Sequence, residues 1–210
     1  QAFRNAQDGV SLIQTTEGAL GTVTDMLQRM RELAVQADNG TYSASDKQSM
    51  EDEAASLTAE IDHIATTTTF NGINVLAAAS TVDLHISEKS SDTITVNLVY
   101  ATSANLLGGA VDFSTTASTQ TAIDDIDTAI TTLNTARGNL GATQNRLDFV
   151  SDSLQSNINN TSASRSRIQD ADMAKEMSDL TKSQILSQTT MAMLARANSQ
   201  PQGIMQLLQG

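Results

Sequence analysis

The chain has 210 residues, 39% of them hydrophobic, enough for one or two domains with a real core, yet only 3% are aromatic and none is Trp, so that core must be aliphatic. A formal net charge of -12, from 24 acidic against 12 basic residues, repels phosphate backbones and anionic bilayers, and the scarce aromatics remove the stacking platforms of single-strand binders, which argues against nucleic-acid and membrane partners. With no Cys there is no disulfide, thiolate nucleophile or sulfur-held zinc, while one Pro and 11 Gly favour long unbroken helices.

The opening QAFRNAQDGVSLIQ lacks Met, lacks the charged-then-apolar layout of a cleavable signal and already reads as helix interior, so a natural N-terminal segment is expected to precede it. From about residue 6 to 37 apolar residues recur every seven positions: Ile13, Leu20, Leu27 and Ala34 in one row, Leu12, Ala19, Met26 and Leu33 beside it, and Thr16, Val23, Met30 and Ala37 completing the stripe. This predicts an amphipathic helix of ~45–50 Å that bundles with partners at a shallow left-handed crossing. Asn39-Gly40 ends it. A second helix is predicted over about 45–65, with Ser45 and Gln48 as its capping box and Met50, Ala54, Leu57, Ile61 and Ile64 as its buried face.

Four consecutive Thr, 66–69, stop that helix, and Phe70-Asn71-Gly72 reads as a turn with its ring tucked inward. Val82, Leu84 and Ile86 alternate, as do Ile94, Val96 and Leu98, which predicts a β-hairpin over about 82–99 joined through residues 88–92. Gly108-Gly109 and the Ser/Thr-rich stretch 114–121 read as loop. Helix is expected again over about 121–160, where Ile126, Leu133, Leu140, Leu147 and Leu154 hold a strict seven-residue spacing. The fold class is therefore mainly α: a long-helix, coiled-coil-like antiparallel bundle with a small hairpin. A C-terminal helical segment from Ile168 to Leu208 carries Met173, Met177, Leu180, Ile185, Leu186, Met193 and Leu194, an apolar face with no mate in the chain.

No constellation for chemistry emerges, so no catalytic residue, cofactor or metal site is assigned. The two histidines, His63 and His85, stand outside any metal-binding helix motif, and the nucleophile-elbow and phosphate-loop patterns are absent. Acidic runs such as Asp124-Asp125 and Glu51-Asp52-Glu53 read as solvated faces. Opposite the first helix's apolar stripe, Gln28, Arg29, Glu32 and Gln36 share an exposed face, which periodicity alone reads as a solvated surface.

The runs NAQDGVSLIQTTEGAL, LQRMRELAVQADNG, FNGINVL, GATQNRLDFV, SRIQDADMAKEMSDLTKSQILSQ and QPQGIMQLLQ, in this order over most of the chain, resemble bacterial flagellin. The resemblance implies a self-assembling subunit of the flagellar filament, a secreted structural protein that serves motility and leaves the cell through the type III apparatus without a cleaved signal. It implies that residues 1–165 are the outer core domain and residues 166–210 the C-terminal half of the inner-core coiled coil, completed in the family by an N-terminal segment. The variable outer domains are reduced to the hairpin and a short loop. The match of residues 28–36 to the QRxRELAVQ run implies a patch for the flagellin-sensing Toll-like receptor, formed by Gln28, Arg29, Glu32, Leu33 and Gln36, with Glu53 on the second helix. Met173, Met177, Leu180, Ile185 and Leu194 are implied as the face taken by the export chaperone and by other subunits. The alternatives are the related hook–filament junction protein, which LQRMRELAVQ and QPQGIMQLLQ disfavour, and a flagellin with a metallopeptidase insert, disfavoured because HExxH is missing.

Overall fold

In the computed structural model the described residues are 1–87, 92–169 and 173–207, with side chains described up to 198. The expected hairpin connection at 88–91, residues 170–172 of the SRIQDADMAKEM run and the last three residues lie outside them. The elements in order are α1 (Ala2–Asp38), α2 (Ala44–Thr67), β1 (Thr69–Phe70), β2 (Ile73–Asn74), β3 (Ser80–His85), β4 (Thr93–Leu98), α3 (Ser103–Leu106), α4 (Thr116–Gln169) and α5 (Met173–Leu207). The chain divides into two units, Gln1–Ser156 and Asn157–Gly210.

In the first unit the heptad rows of α1 meet the heptad row of α4. Ile13, Leu20, Val23, Leu27, Met30 and Ala34 are fully buried, as are Ile126, Leu133 and Leu147, with Leu140 at 2% exposure. The helices run antiparallel: Arg31 pairs with Asp127, Glu17 with Arg137, and Gly9 lies beside Leu147, so one index rises as the other falls. Leu154, the last member of the row, is half-exposed, because the seam runs out at the N-terminal end of α1. The polar members of the stripe are tolerated because they satisfy themselves. Buried Thr16 and Thr24 donate to the carbonyls of Leu12 and Leu20, one turn back, at 2.8 and 2.7 Å.

α2 folds back along α1 through a short turn. Its capping box is Ser43 with Asp46, not Ser45 with Gln48: Ser43 Oγ accepts from the Asp46 amide and Asp46 accepts from the Ser43 amide. Ser43 has the extended backbone a cap needs, whereas Ser45 is already helical and Gln48 donates instead to Asp52. The FNGINVL run stops α2 and turns the chain. Asn71 and Gly72, at φ 50° and 79°, make the two-residue turn between β1 and β2 that only left-handed backbone allows. Asn74 then donates to the last carbonyls of α2, at Ala65 and Thr66, and accepts from the amides of Leu76 and Ala77, which sends Val75 and Leu76 into the core. Phe70 is half-buried against that core.

β3 and β4 form the expected antiparallel hairpin, with Val82 opposite Val96 and Leu84 opposite Ile94. It seats on α1 where Asn5 Nδ2 donates to the His85 carbonyl at 2.8 Å and where Gly9 leaves room for Leu84. A Cβ at Gly9 would lie 2.2 Å from Leu84 Cδ1 and 3.2 Å from Leu147 Cδ1, so hairpin and α4 both approach the bare backbone there. α3 is tied to α2 by Asp62, whose carboxylate accepts from the Ser103 amide and hydroxyl.

α4 starts more than a turn before the expected position. Thr115 and Ser118 cap it reciprocally, each hydroxyl accepting from the other's amide at 3.1 Å, so part of the Ser/Thr-rich stretch is cap and first turn instead of loop. It also runs on to Gln169, past the expected end near residue 160. In the second unit α5 exposes Met173, Met177, Leu180, Ile185, Leu186, Met193 and Leu194, each by more than half. No helix of the described residues is long and apolar enough to cross a membrane.

Because Leu140 sits sealed in the α1–α4 seam, Leu140→Ala should leave a cavity and cost about 2–5 kcal/mol in chemical denaturation. A loss below about 0.5 kcal/mol, the scatter of surface changes, would mean that the seam is misassigned.

Candidate interaction surface

The run from Gln28 to Gln36 is divided by helical periodicity into three faces. Met30, Leu33 and Ala34 point into the core, Gln28, Arg29, Glu32 and Gln36 are exposed, and Arg31 turns towards α4. Leu33 is a correction to the sequence-derived patch: at 2% exposure it belongs to the buried stripe and offers a partner no side-chain surface.

The antiparallel register of α1 and α2 brings Glu53 opposite Arg29. Arg29 Nε and Nη2 both donate to Glu53 Oε1, at 2.9 and 2.8 Å, and Nη1 donates to Glu32 Oε2 at 3.1 Å. The hydrogen bond to Glu53, followed by that to Glu32, pushes the guanidinium pKa up, so Arg29 is a fixed cation. All three side chains remain about half exposed or more, so the pairs add little to stability but hold the fork in one orientation. Gln36 Nε2 donates to the Tyr42 hydroxyl at 3.1 Å. Gln36 and Glu53 thus border a shallow hollow of about 370 Å³ with Tyr42, Asp46, Ser49 and Met50, four residues that sequence reasoning left out. Their signal was available in the register: once Arg29 opposes Glu53 in two antiparallel helices, Gln36 must oppose the start of α2.

On the other flank, Arg31 binds Asp127 through two hydrogen bonds, 2.6 and 3.2 Å. The bond from Arg31 holds the Asp127 carboxyl below the usual carboxylate range, against the opposing effect of desolvation. His63 and His85 are both exposed and lie on different elements. Among the described residues no three His, Cys, Asp or Glu side chains converge as a metal site would require. The five residues expected to form the C-terminal apolar face, Met173, Met177, Leu180, Ile185 and Leu194, are exposed together on α5, and a broad hollow of about 590 Å³ runs along the helix between Ala174 and Leu186.

Comparison with known proteins places these surfaces in context. The pattern of the bacterial flagellin N-terminal helical region matches residues 1–81, and that of the C-terminal helical region matches residues 123–208. The flagellin of Halalkalibacterium halodurans is 44% identical over 211 residues, spanning 99% of this chain and 78% of that protein. The flagellar filament 30.7 kDa core protein of Treponema maltophilum is 39% identical over 224 residues, spanning 99% of this chain and 79% of that protein. The crystal structure of Bacillus cereus flagellin superposes with a TM-score of 0.64 at 36% identity, over 77% of this chain and 94% of that one.

A folded-state carboxyl that titrates below its unfolded value contributes stability above the unfolded range and loses it as pH falls through the folded value. Arg31→Met should therefore lower the melting midpoint by roughly 2 °C or less near neutral pH. The gap from wild type should narrow as pH falls below the ordinary Asp value of about 3.9 and close only below the lowered value of Asp127. A gap unchanged over that range would show that Arg31 acts through packing of its stem.

Proposed function

This chain belongs to the bacterial flagellin family, and on that premise we propose that it reaches the cell exterior by flagellar type III export and is escorted by a chaperone that covers the apolar face of α5. It is a structural subunit of the flagellar filament, in a family of structural and motility proteins; a hook–filament junction protein and a metallopeptidase are not favoured. The observation that carries the delivery reading is that face: eight described Met, Leu and Ile side chains of α5 are more than half exposed, whereas the heptad rows of α1 and α4 are largely buried. Such a face is unstable in water without cover, and unbranched Met adapts to more than one partner. A chaperone covers it before export and neighbouring subunits cover it in the filament. In this reading residues 1–165 form the outer core domain and 166–210 the C-terminal half of the inner-core coiled coil.

The exposed patch of Gln28, Arg29, Glu32, Gln36 and Glu53 is our candidate surface for the flagellin-sensing Toll-like receptor. In its support, Arg29 is held by two carboxylates without being buried, so little side-chain freedom remains to be lost on binding. An oriented Arg at the centre of a polar patch has the composition of an interface hot spot.

Hydrogen exchange tests the first proposal: residues 175–198 should exchange fast in the monomer and become protected on chaperone binding and in filaments. Strong protection in the monomer at low concentration would overturn it. For the receptor, Arg29→Ala should weaken binding about 30-fold while the melting midpoint stays within about 2 °C of wild type. Unchanged affinity with a clearly lower midpoint would make Arg29 a structural residue.

A further inference from the structure

Of the four Phe residues, Phe113 is fully buried, Phe3 and Phe70 are half-buried, and Phe149 is 75% exposed. Phe149 stands on the outward face of α4, because Leu147, two positions earlier, is sealed in the seam. Its neighbour one turn back is Arg146, which makes no hydrogen bond or ion pair with any described residue.

Elsewhere in the same unit, the segment between α3 and α4 leaves an open cavity of about 220 Å³. Leu107, Val111 and Ala122 wall it, and the carboxylates of Asp112 and Asp125 stand at its rim. A dry apolar cavity of about 150 Å³ already accepts benzene, so this one has room for a phenyl ring. Hydrogen bonds from Ser114 hold the Asp112 carboxyl below the usual range, which keeps the rim negative.

Knob and socket lie on the same helix about 40 Å apart, from Ala122 to Phe149, and cannot meet within one chain. The geometry points to a heterologous contact between copies of this chain, in which Phe149 of one subunit enters the Leu107–Val111–Ala122 cavity of the next and Arg146 meets Asp112 and Asp125 at the rim. Two different patches joined in this way repeat from copy to copy without using up either patch, as an open assembly requires. Asp148, next to Phe149, and Asp152, one turn beyond it, are both exposed and repelled by the same rim, so only an orientation that turns Arg146 to the rim and both carboxylates away from it is open. The contact rests on the filament reading and adds to it the side chains that join subunits outside α5.

The absence of Cys allows a clean test. The full chain carrying both Phe149→Cys and Ala110→Cys, assembled into filaments and oxidised, should give a ladder of covalent multimers on a non-reducing gel, and each single variant should give none. Phe149→Asp, at an exposed position, should keep its melting midpoint but raise the concentration needed for assembly at least tenfold. Wild-type filaments with no ladder from the double variant, or Phe149→Asp assembling like wild type, would overturn the contact and leave the filament reading intact. A ladder from Ala110→Cys with Met177→Cys in place of Phe149→Cys would assign the cavity to α5 and also overturn it. A wild-type chain that forms no filaments would remove the filament reading, and the contact with it.

Discussion

The first unit is built on the apolar stripe of α1, which packs with α2 and α4 into one core. None of these helices can bury its stripe alone, and with hardly any aromatics the core has no single large anchor apart from Phe113. Stability is spread along a row of Leu, Ile, Val, Met and Ala from Ile13 to Ala37 on α1 and from Ile126 to Leu147 on α4. A seam of this kind is long, narrow and sensitive to register, because a shift of one residue rotates each stripe by about 100° out of the interface. Once the register is set, the rest follows. α2 lies along α1 with Arg29 beside Glu53, and α4 places Asp127 at Arg31 and Arg137 at Glu17. The hairpin docks where Gly9 removes the side chain that would have kept it away.

The same logic separates two kinds of apolar surface. In the first unit most heptad residues are covered, and what remains outside is mainly Thr, Ser, Asn, Gln and charge, with Val35, Ile73, Tyr100 and Phe149 as exceptions. In α5 the large apolar side chains are the surface. A filament subunit needs both: a self-sufficient unit that presents fixed outer faces, and a segment whose stability is completed by other chains. A helix such as α5 is poised for exchange between partners, since removing any cover leaves several hundred square ångströms of apolar surface in water.

Hydroxyl-rich helices are a further consequence. Thr and Ser side chains along α1, α2 and α4 donate to the carbonyl one turn back, among them Thr16, Thr24, Thr58, Thr119 and Thr135. The buried Thr16 and Thr24 hydroxyls are thereby satisfied without a cross-helix partner, so the helices carry a low density of charge and a high density of small polar residues. Besides the ion pairs of Arg29, Arg31 and Arg137, the side chains that bridge elements include Asn5 to the hairpin, Asp62 to α3, Glu51 to the Phe113 amide and Asn74 at the end of α2.

The seven-residue periodicity determined the long helices, their antiparallel pairing and the inward rows, because repetition over about six to eight helical turns leaves one stripe that can be buried. The alternation of 82–86 and 94–98 determined the hairpin for the same reason at period two, and the unmatched Met/Leu/Ile face of the C-terminal segment was legible as a surplus. Local polar chemistry was not: Ser43 and Ser45 both precede a Gln or Asp at cap spacing, and only the backbone conformation at Ser43 decides between them. Periodicity did place Leu33, in the inward row of Leu12, Ala19 and Met26, and the structure buries it there; only the match of its run to a family motif put it in the exposed patch, where its neighbours Glu32 and Gln36 do stay in solvent. The pairing of Arg29 with Glu53, the docking role of Gly9 and the cavity beside Ala122 are set by tertiary structure. Each joins residues far apart in the chain whose proximity follows from how the helices stack, and a single helix carries no information about which of its polar residues will find a partner across the groove.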